Sequence, residues 1–406
     1  MTPVEFISEI RDFKEFEESS VEGKFLNSSI PVFTNEFWTS KKRASHSLHE
    51  ISYRACFKSQ LPEFFIKRLT VPYDTVYDPF SGRGTTLLES SFLSRFSVGC
   101  DISPLSKMLI EPRLHPPDVS DVKARLDQID LEKEVEDFNS HKRLLVFYHP
   151  ATLRQICNLR NYLIEREVQG KTDYLDRWIR LVATNRLTGH SIGFFSVYTL
   201  PPNQTVSIKS QERINQRKKQ PSIEKDVRKL IVAKSITLLR SVTIKQLFTL
   251  SQMRRRTLFF TQSSCATPQI RDASINLVVT SPPFLDITDY HKDNWLRCWF
   301  NNIDLSSIDY WKIHDINEWK IAMWSVFREL YRIVVPGGYV AFEVGEVRKG
   351  SVCLENSVVP VAQSCGFTPV TVLINRQVFT KTSNCWGVDN HNRGTNSNRI
   401  CVFFKE

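Results

Sequence analysis

The sequence predicts an α/β fold: a mostly parallel sheet with an antiparallel C-terminal strand, interrupted by a large, mainly helical insertion. Three observations lead there. Residues 75–101 read as a strand, a glycine-containing turn, a helix and a second strand, the repeating unit of a parallel sheet. From Pro117 to about Gln252 apolar residues recur at three- and four-residue intervals, the period of amphipathic helices. Sheet-like runs then return from Ile275 onward.

The elements follow in order. Residues 1–45 carry no clear period and are expected to form an N-terminal cap or arm. Residues 46–116 hold the first part of the sheet, with strands at 75–77 and 97–100 and a helix at 85–92. Residues 117–270 form the insertion, with helices expected at 122–148, 151–167, 174–187 and 223–248. Within it, Thr199-Leu-Pro-Pro-Asn-Gln reads as an exposed loop. Residues 271–406 complete the sheet: a strand at 275–280, a helix at 319–334, a Pro336-Gly-Gly turn and a strand at 339–344. Two last strands, 369–375 and 399–404, flank a polar hairpin or loop.

A chain of 406 residues exceeds one small domain, and 41% hydrophobic with 24% charged residues excludes pervasive disorder. No run of eighteen apolar residues is present, and the acidic start lacks a secretory pattern. The nine cysteines are scattered, with no C-x-x-C pair. That argues against a disulfide framework or a zinc site and for reduced thiols in the cytoplasm. No metal is expected.

The formal net charge of +10 is localised. Residues 201–260 contain 14 basic and three acidic residues, 14 − 3 = +11, which leaves 10 − 11 = −1 for the rest of the chain. Lys209, Arg213, Arg217, Lys218, Lys219 and the Arg254-Arg255-Arg256 triplet are the candidate contacts for a phosphate backbone.

Asp78-Pro-Phe-Ser-Gly-Arg-Gly-Thr-Thr is the first informative string. Gly82 and Gly84 admit backbone angles closed to other residues, at a turn that leaves a strand and opens a helix. Asp101 ends the next strand, 101 − 84 = 17 residues after Gly84, where it can accept from ribose hydroxyls. The third glycine of a dinucleotide fingerprint is replaced by Leu87, and no G-K-[ST] follows. A nucleoside with a zwitterionic tail fits better than a pyrophosphate, with Asp78 facing the ammonium.

This string resembles the S-adenosylmethionine motif of the DNA amino-methyltransferases, which methylate an exocyclic nitrogen. The upstream stretch from His49 to Pro62 is similar to the family segment that holds the methionine end, with Tyr53, Phe57 and Lys58 the positions of interest. The resemblance spans roughly 48–110 and 270–406. It implies a Rossmann-like methyltransferase sheet and a cofactor site of Asp78, Pro79, Phe80, Ser81, Gly82, Gly84, Thr85, Asp101 and Ile102, joined by Tyr53 and Phe57.

Thr280-Ser-Pro-Pro-Phe, after a predicted strand, is similar to the family's catalytic [DNS]-P-P-[YFW] motif. On that resemblance Ser281, Pro282, Pro283 and Phe284 are catalytic. An exocyclic amine is a poor nucleophile because its lone pair is delocalised into the ring. The Ser281 hydroxyl and the Pro282 carbonyl can accept its two N–H bonds and draw the nitrogen toward sp³ geometry. Pro283 stiffens the loop, and Phe284 offers a face for a flipped base. No cysteine follows a proline, which argues against cytosine carbon-5 chemistry. Thr280-Ser281 favours cytosine N4 over adenine N6, although the cofactor-first motif order is unusual for the former. RNA base methylation and a non-catalytic nucleic-acid-binding protein remain alternatives. The resemblance further implies duplex DNA as partner, the insertion as target-recognition region, a bacterial or phage origin and a cognate restriction endonuclease.

Overall fold

A capping box opens the chain. Thr2 Oγ1 accepts from Glu5 N, the Glu5 carboxylate accepts from Thr2 N, and helix α1 follows over Pro3–Arg11. The computed structural model describes residues 1–16, 19–26, 28–38, 46–54, 56–201, 204–283, 285, 289–347, 352–376 and 397–406. Strands β1 (Val21–Lys24) and β2 (Pro31–Asn35) form an antiparallel hairpin. The N-terminal stretch is thus no separate cap or arm. Strand β2 lies parallel to a C-terminal strand, and Phe6, Ile10 and Phe33 are fully buried against the sheet. Loss of that apolar surface to water is what binds the segment to the sheet.

Helix α2 (Gln60–Leu69) leads into β3 (Thr75–Asp78), α3 (Thr85–Phe92), β4 (Phe96–Asp101) and α4 (Pro104–Ile110), close to the predicted bounds. The insertion comprises α5 (Val119–Asp127), α6 (Pro150–Val168), α7 (Tyr174–Arg186), α8 (Ile208–Lys218), α9 (Val227–Leu239) and α10 (Ile244–Arg254). The continuous helix expected at 122–148 ends at Asp127, and a tighter 3₁₀ stretch, Phe138–Val146, follows. The helix expected at 223–248 is split in two, with Thr243 capping the second half.

Strand β5 (Leu258–Thr261) falls inside the span assigned to the insertion, yet it pairs in parallel with β4 at the sheet edge. The insertion therefore ends before Leu258. Next come β6 (Ile275–Thr280), α11 (Tyr290–Phe300), α12 (Ile316–Ile333) and β7 (Val334–Val344). The short pair β8 (Glu346–Val347) and β9 (Val352–Cys353), helix α13 (Glu355–Ser364), β10 (Thr368–Arg376) and β11 (Ser397–Phe404) complete the chain. The sheet order is β1-β2-β10-β11-β7-β6-β3-β4-β5. Strands β5, β4, β3, β6 and β7 are mutually parallel, and β11 is antiparallel to both its neighbours.

One consequence positions the site. Parallel strands present all their carboxyl ends at one edge, so Asp78, Asp101 and Thr280 converge there from three different strands. The insertion shares a core with this unit: Leu87 and Leu88 of α3 belong to the same buried cluster as Trp178 and Ile231.

Candidate active site

The first wall of the site is the turn after β3. Gly82 and Gly84 have φ of 51° and 74°, in the left-handed region that favours glycine. They differ in what surrounds them. A Cβ at Gly84 would lie 2.3 Å from Ile110 Cγ1, so this position serves helix packing as well as the turn. A Cβ at Gly82 would meet the Tyr53 ring edge at 3.7 Å and the Phe80 carbonyl at 3.9 Å, both ordinary van der Waals contacts. Ser81 closes the turn by donating to the Asp78 carbonyl at 2.8 Å.

Asp78 is buried, and its Oδ1 accepts from Phe80 N at 3.1 Å and from Thr280 Oγ1 at 2.6 Å. Its Oδ2 is buried without a hydrogen-bond partner among the described residues. Burial pushes this carboxyl up to about 6, against hydrogen bonds that pull it down. A cationic ligand group beside Oδ2 would satisfy that oxygen and restore the charged form. Asp101 lies across the turn, with Oδ2 accepting from Gly82 N at 2.7 Å and Oδ1 from Ser103 N at 2.8 Å. Its carboxylate thus already helps to shape the glycine turn, and its further lone pairs remain acceptors.

The second wall is the segment after β6. Thr280 is fully buried, Ser281 and Pro283 are half-buried, and Pro282 is buried. Trp319 Nε1 donates to the Pro283 carbonyl at 3.1 Å, anchoring the proline pair to α12. Phe284, assigned to base stacking, lies outside the described residues.

Glu343 is the residue that sequence reasoning missed. In the parallel ladder Thr280 sits opposite Phe342, so Ser281 and Glu343 are the next neighbours along the two strands. Glu343 is buried beside Ser281, and burial pushes its carboxyl up to about 7 against the pull of the Ser281 hydroxyl. A signal was present: Glu343 interrupts the apolar run Tyr339-Val-Ala-Phe. A lone acid in a central strand calls for a partner.

A third wall comes from aromatic side chains and the insertion. Tyr53 is buried over Gly82, with the Arg297 guanidinium 5.9 Å from its ring centroid. Tyr310 donates to Ser103 Oγ at 2.9 Å and stacks on Tyr290 at 5.4 Å, while Trp311 meets Phe80 edge-on at 5.7 Å. Ile102 is half-buried beside them in sequence. Pro79 and Thr85 are buried in the turn, and Phe57 packs on the cluster beneath the sheet. In the loop expected to be exposed at 199–204, Pro201 is exposed, Leu200 and Gln204 are half-buried, and Pro202 and Asn203 lie outside the described residues. Thr199 is fully buried, and the nearby Thr205 N donates to the Asp293 carbonyl at 2.9 Å. Asp293 in turn pairs with Arg54 at 2.7 Å.

The basic residues separate into groups. Lys209, Arg213 and Arg217 recur every four residues on α8 and are exposed, as are Lys218 and Lys219. The residues just before helix α8 are tied to α11, Thr205 N donating to the Asp293 carbonyl and Trp295 Nε1 to the Val206 carbonyl. Arg254, Arg255 and Arg256 are exposed elsewhere. They precede β5, and Arg256 sits 4.9 Å from the ring of Phe96, the first residue of β4, at the opposite edge of the sheet. Several cations of the basic segment are engaged within the chain: Lys225, Arg228 and Lys234 donate to backbone carbonyls, Arg240 pairs with Glu50, Lys229 with Asp226, and Arg254 meets His115. Among the described residues no cluster of three or more metal-ligating side chains occurs, and no helix is long and apolar enough to cross a membrane.

Residues 11–111 match a protein family described as DNA methylase. The chain is 34% identical over 102 residues to the Type II methyltransferase M.MjaII of Methanocaldococcus jannaschii, covering 25% of this chain and 19% of the relative. It is 22% identical over 331 residues to M.BsoBI of Geobacillus stearothermophilus, covering 72% and 61%. With M.MvaI of Kocuria varians it shares 24% over 271 residues, covering 61% and 55%. The chain thus spans between a fifth and about three fifths of the length of these curated relatives.

Proposed function

We propose that this chain, a member of the DNA amino-methyltransferase family, transfers a methyl group from S-adenosylmethionine to the exocyclic N4 of a cytosine in duplex DNA. The hydrogen bond from Thr280 to Asp78 carries the reading, because it joins the glycine-turn motif to the Ser-Pro-Pro motif at one sheet edge. The residues present fit the cofactor. Asp78 has an unsatisfied buried oxygen for the ammonium, Gly82 leaves the turn open, and Asp101 offers acceptors for ribose hydroxyls. Tyr53 supplies an apolar wall.

The bound cofactor supplies a methyl group already activated on a sulfonium centre. The protein's part is to hold and orient the amine. Ser281 Oγ and the Pro282 carbonyl accept the two N–H bonds of a flipped cytosine. The ionised Glu343 accepts the Ser281 hydroxyl proton in a hydrogen bond, which leaves the lone pairs of Oγ free to face the amine. As the nitrogen becomes cationic, its departing proton has a route through Ser281 toward Glu343. The serine and the preceding threonine favour cytosine N4 over adenine N6.

Target recognition falls to the insertion, with Lys209, Arg213, Arg217, Lys218 and Lys219 of α8 contacting phosphates. A restriction endonuclease acting on the same site is the expected companion, and protection of methylated DNA from cleavage is its assay. The deciding experiment is methyl transfer from labelled S-adenosylmethionine to mixed-sequence duplex DNA, followed by digestion and nucleoside mass spectrometry. N4-methylcytosine is the expected product. N6-methyladenine would keep the mechanism and overturn the target, and label found in RNA alone would overturn the substrate class.

A further inference from the structure

Arg83, the residue between the two glycines, points away from the cofactor side of the turn and into the preceding segment. Its Nη1 donates to the His49 carbonyl at 3.3 Å and the Ile51 carbonyl at 3.1 Å, and its Nη2 to the Phe57 carbonyl at 3.3 Å. Its Nε donates to Thr85 Oγ1 at 3.2 Å, which fixes the guanidinium against the start of α3. The three carbonyls bracket Tyr53, and Tyr53 is the side chain closest to a Cβ built on Gly82.

A second arginine completes the arrangement. Arg113, fully buried, donates to the Leu48 and Leu109 carbonyls and to the carbonyl of Arg83 itself. Among the described residues no carboxylate pairs with either guanidinium. Apart from Arg83 Nε on Thr85 Oγ1, both arginines donate to backbone carbonyls, which suits a planar fork of donors. The described residues of segment 48–57 form no helix or strand beyond a single 3₁₀ turn, Ser47–His49, so their carbonyls find few ladder partners. The two guanidiniums supply the donors that regular structure would otherwise provide.

We infer that Arg83 is a positioning residue that staples segment 49–57 across the glycine turn and so sets the Tyr53 wall of the cofactor site. The inference rests on the cofactor reading above. It assigns the middle position of Gly82-Arg83-Gly84 a role that neither the glycines nor the two acids perform. Lysine cannot replace it fully, since one ammonium cannot reach three carbonyls in fixed directions.

The test measures binding of S-adenosylhomocysteine by calorimetry to the full chain and to Arg83→Lys and Arg83→Ala, with DNA affinity followed in parallel. Cofactor-product affinity should fall roughly tenfold or more in the alanine variant and by less in the lysine variant. DNA affinity should stay within about twofold of wild type, since a phosphate contact is not being removed. In turnover, KM for the methyl donor should rise while kcat at saturation changes little. Millimolar guanidinium should partly restore the alanine variant by refilling the vacated donor site. Wild-type affinity in Arg83→Lys together with unchanged KM would overturn the inference, and that measurement stands even if Arg83→Ala does not fold. Failure of the wild-type chain to bind S-adenosylhomocysteine would instead sink the cofactor reading.

Discussion

Thr280 Oγ1 donates to Asp78 Oδ1 at 2.6 Å, a contact between residues 202 positions apart that are both almost wholly buried. It is the joint between the two informative motifs. Asp78 keeps its other oxygen buried without a hydrogen-bond partner among the described residues, and the residue after Thr280 is the proposed catalytic serine.

Thr280→Val keeps the shape and removes the donor. Leaving a buried carboxylate short of one hydrogen bond should cost about 1–3 kcal/mol of stability. Denaturant unfolding reads this, and a change below about 0.5 kcal/mol would show that Thr280 does not support Asp78. The same variant should weaken cofactor binding, because the Asp78 carboxyl would rise further from about 6 and carry less charge at neutral pH.

Glu343 is expected to set the pH dependence of turnover. Its folded-state carboxyl is raised to about 7, so it is protonated below that pH and ionised above it. The ionised form is the one that accepts the Ser281 hydroxyl, and kcat should therefore fall as pH drops through about 7. Glu343→Gln should lower kcat by roughly 10²-fold and flatten this acid limb. An acid limb that persists unchanged in the glutamine variant would assign it to another group. For stability the sign is opposite. The raised value means that Glu343 favours the folded state more at low pH, and that contribution is lost as pH rises through about 7.

The two basic groups should behave differently in DNA titrations. Replacing Lys209, Arg213 or Arg217 by alanine should reduce the slope of log K against log salt by about 1 each. Alanine at Arg254, Arg255 and Arg256 should leave that slope unchanged, because these residues lie toward the edge of the sheet opposite Asp101 and Thr280. A larger slope change from the triplet than from α8 would move the DNA path to the other edge.

Gly84→Ala tests the turn itself. It combines a φ of 74° with a Cβ 2.3 Å from Ile110 Cγ1. The expected loss is about 1–3 kcal/mol, read by thermal or denaturant unfolding. Adding Ile110→Ala should recover only the steric part. Full recovery would mean that the backbone conformation at this position costs nothing.

The strand–turn–helix–strand unit at 75–101, the strand at 275–280 and the residues standing at their ends were legible from local pattern, because they depend on neighbours along the chain. Apolar runs set the strands, and Gly82 and Gly84 mark the only backbone the turn allows. The parallel arrangement then implied that both motifs share an edge. The remainder depended on contacts between distant parts of the chain. Glu343 became part of the site only when β7 lay beside β6 in a register that no local pattern encodes. The N-terminal hairpin joined the sheet because its apolar face found β10, more than 330 residues away. Counted as charge, the basic segment looked uniform, yet folding turned Lys225, Arg228 and Lys234 inward to serve backbone carbonyls and sent Arg254–Arg256 to the far edge. Composition counts charges, while which of them face water, and on which side, depends on how helices connected by short loops pack against a common core.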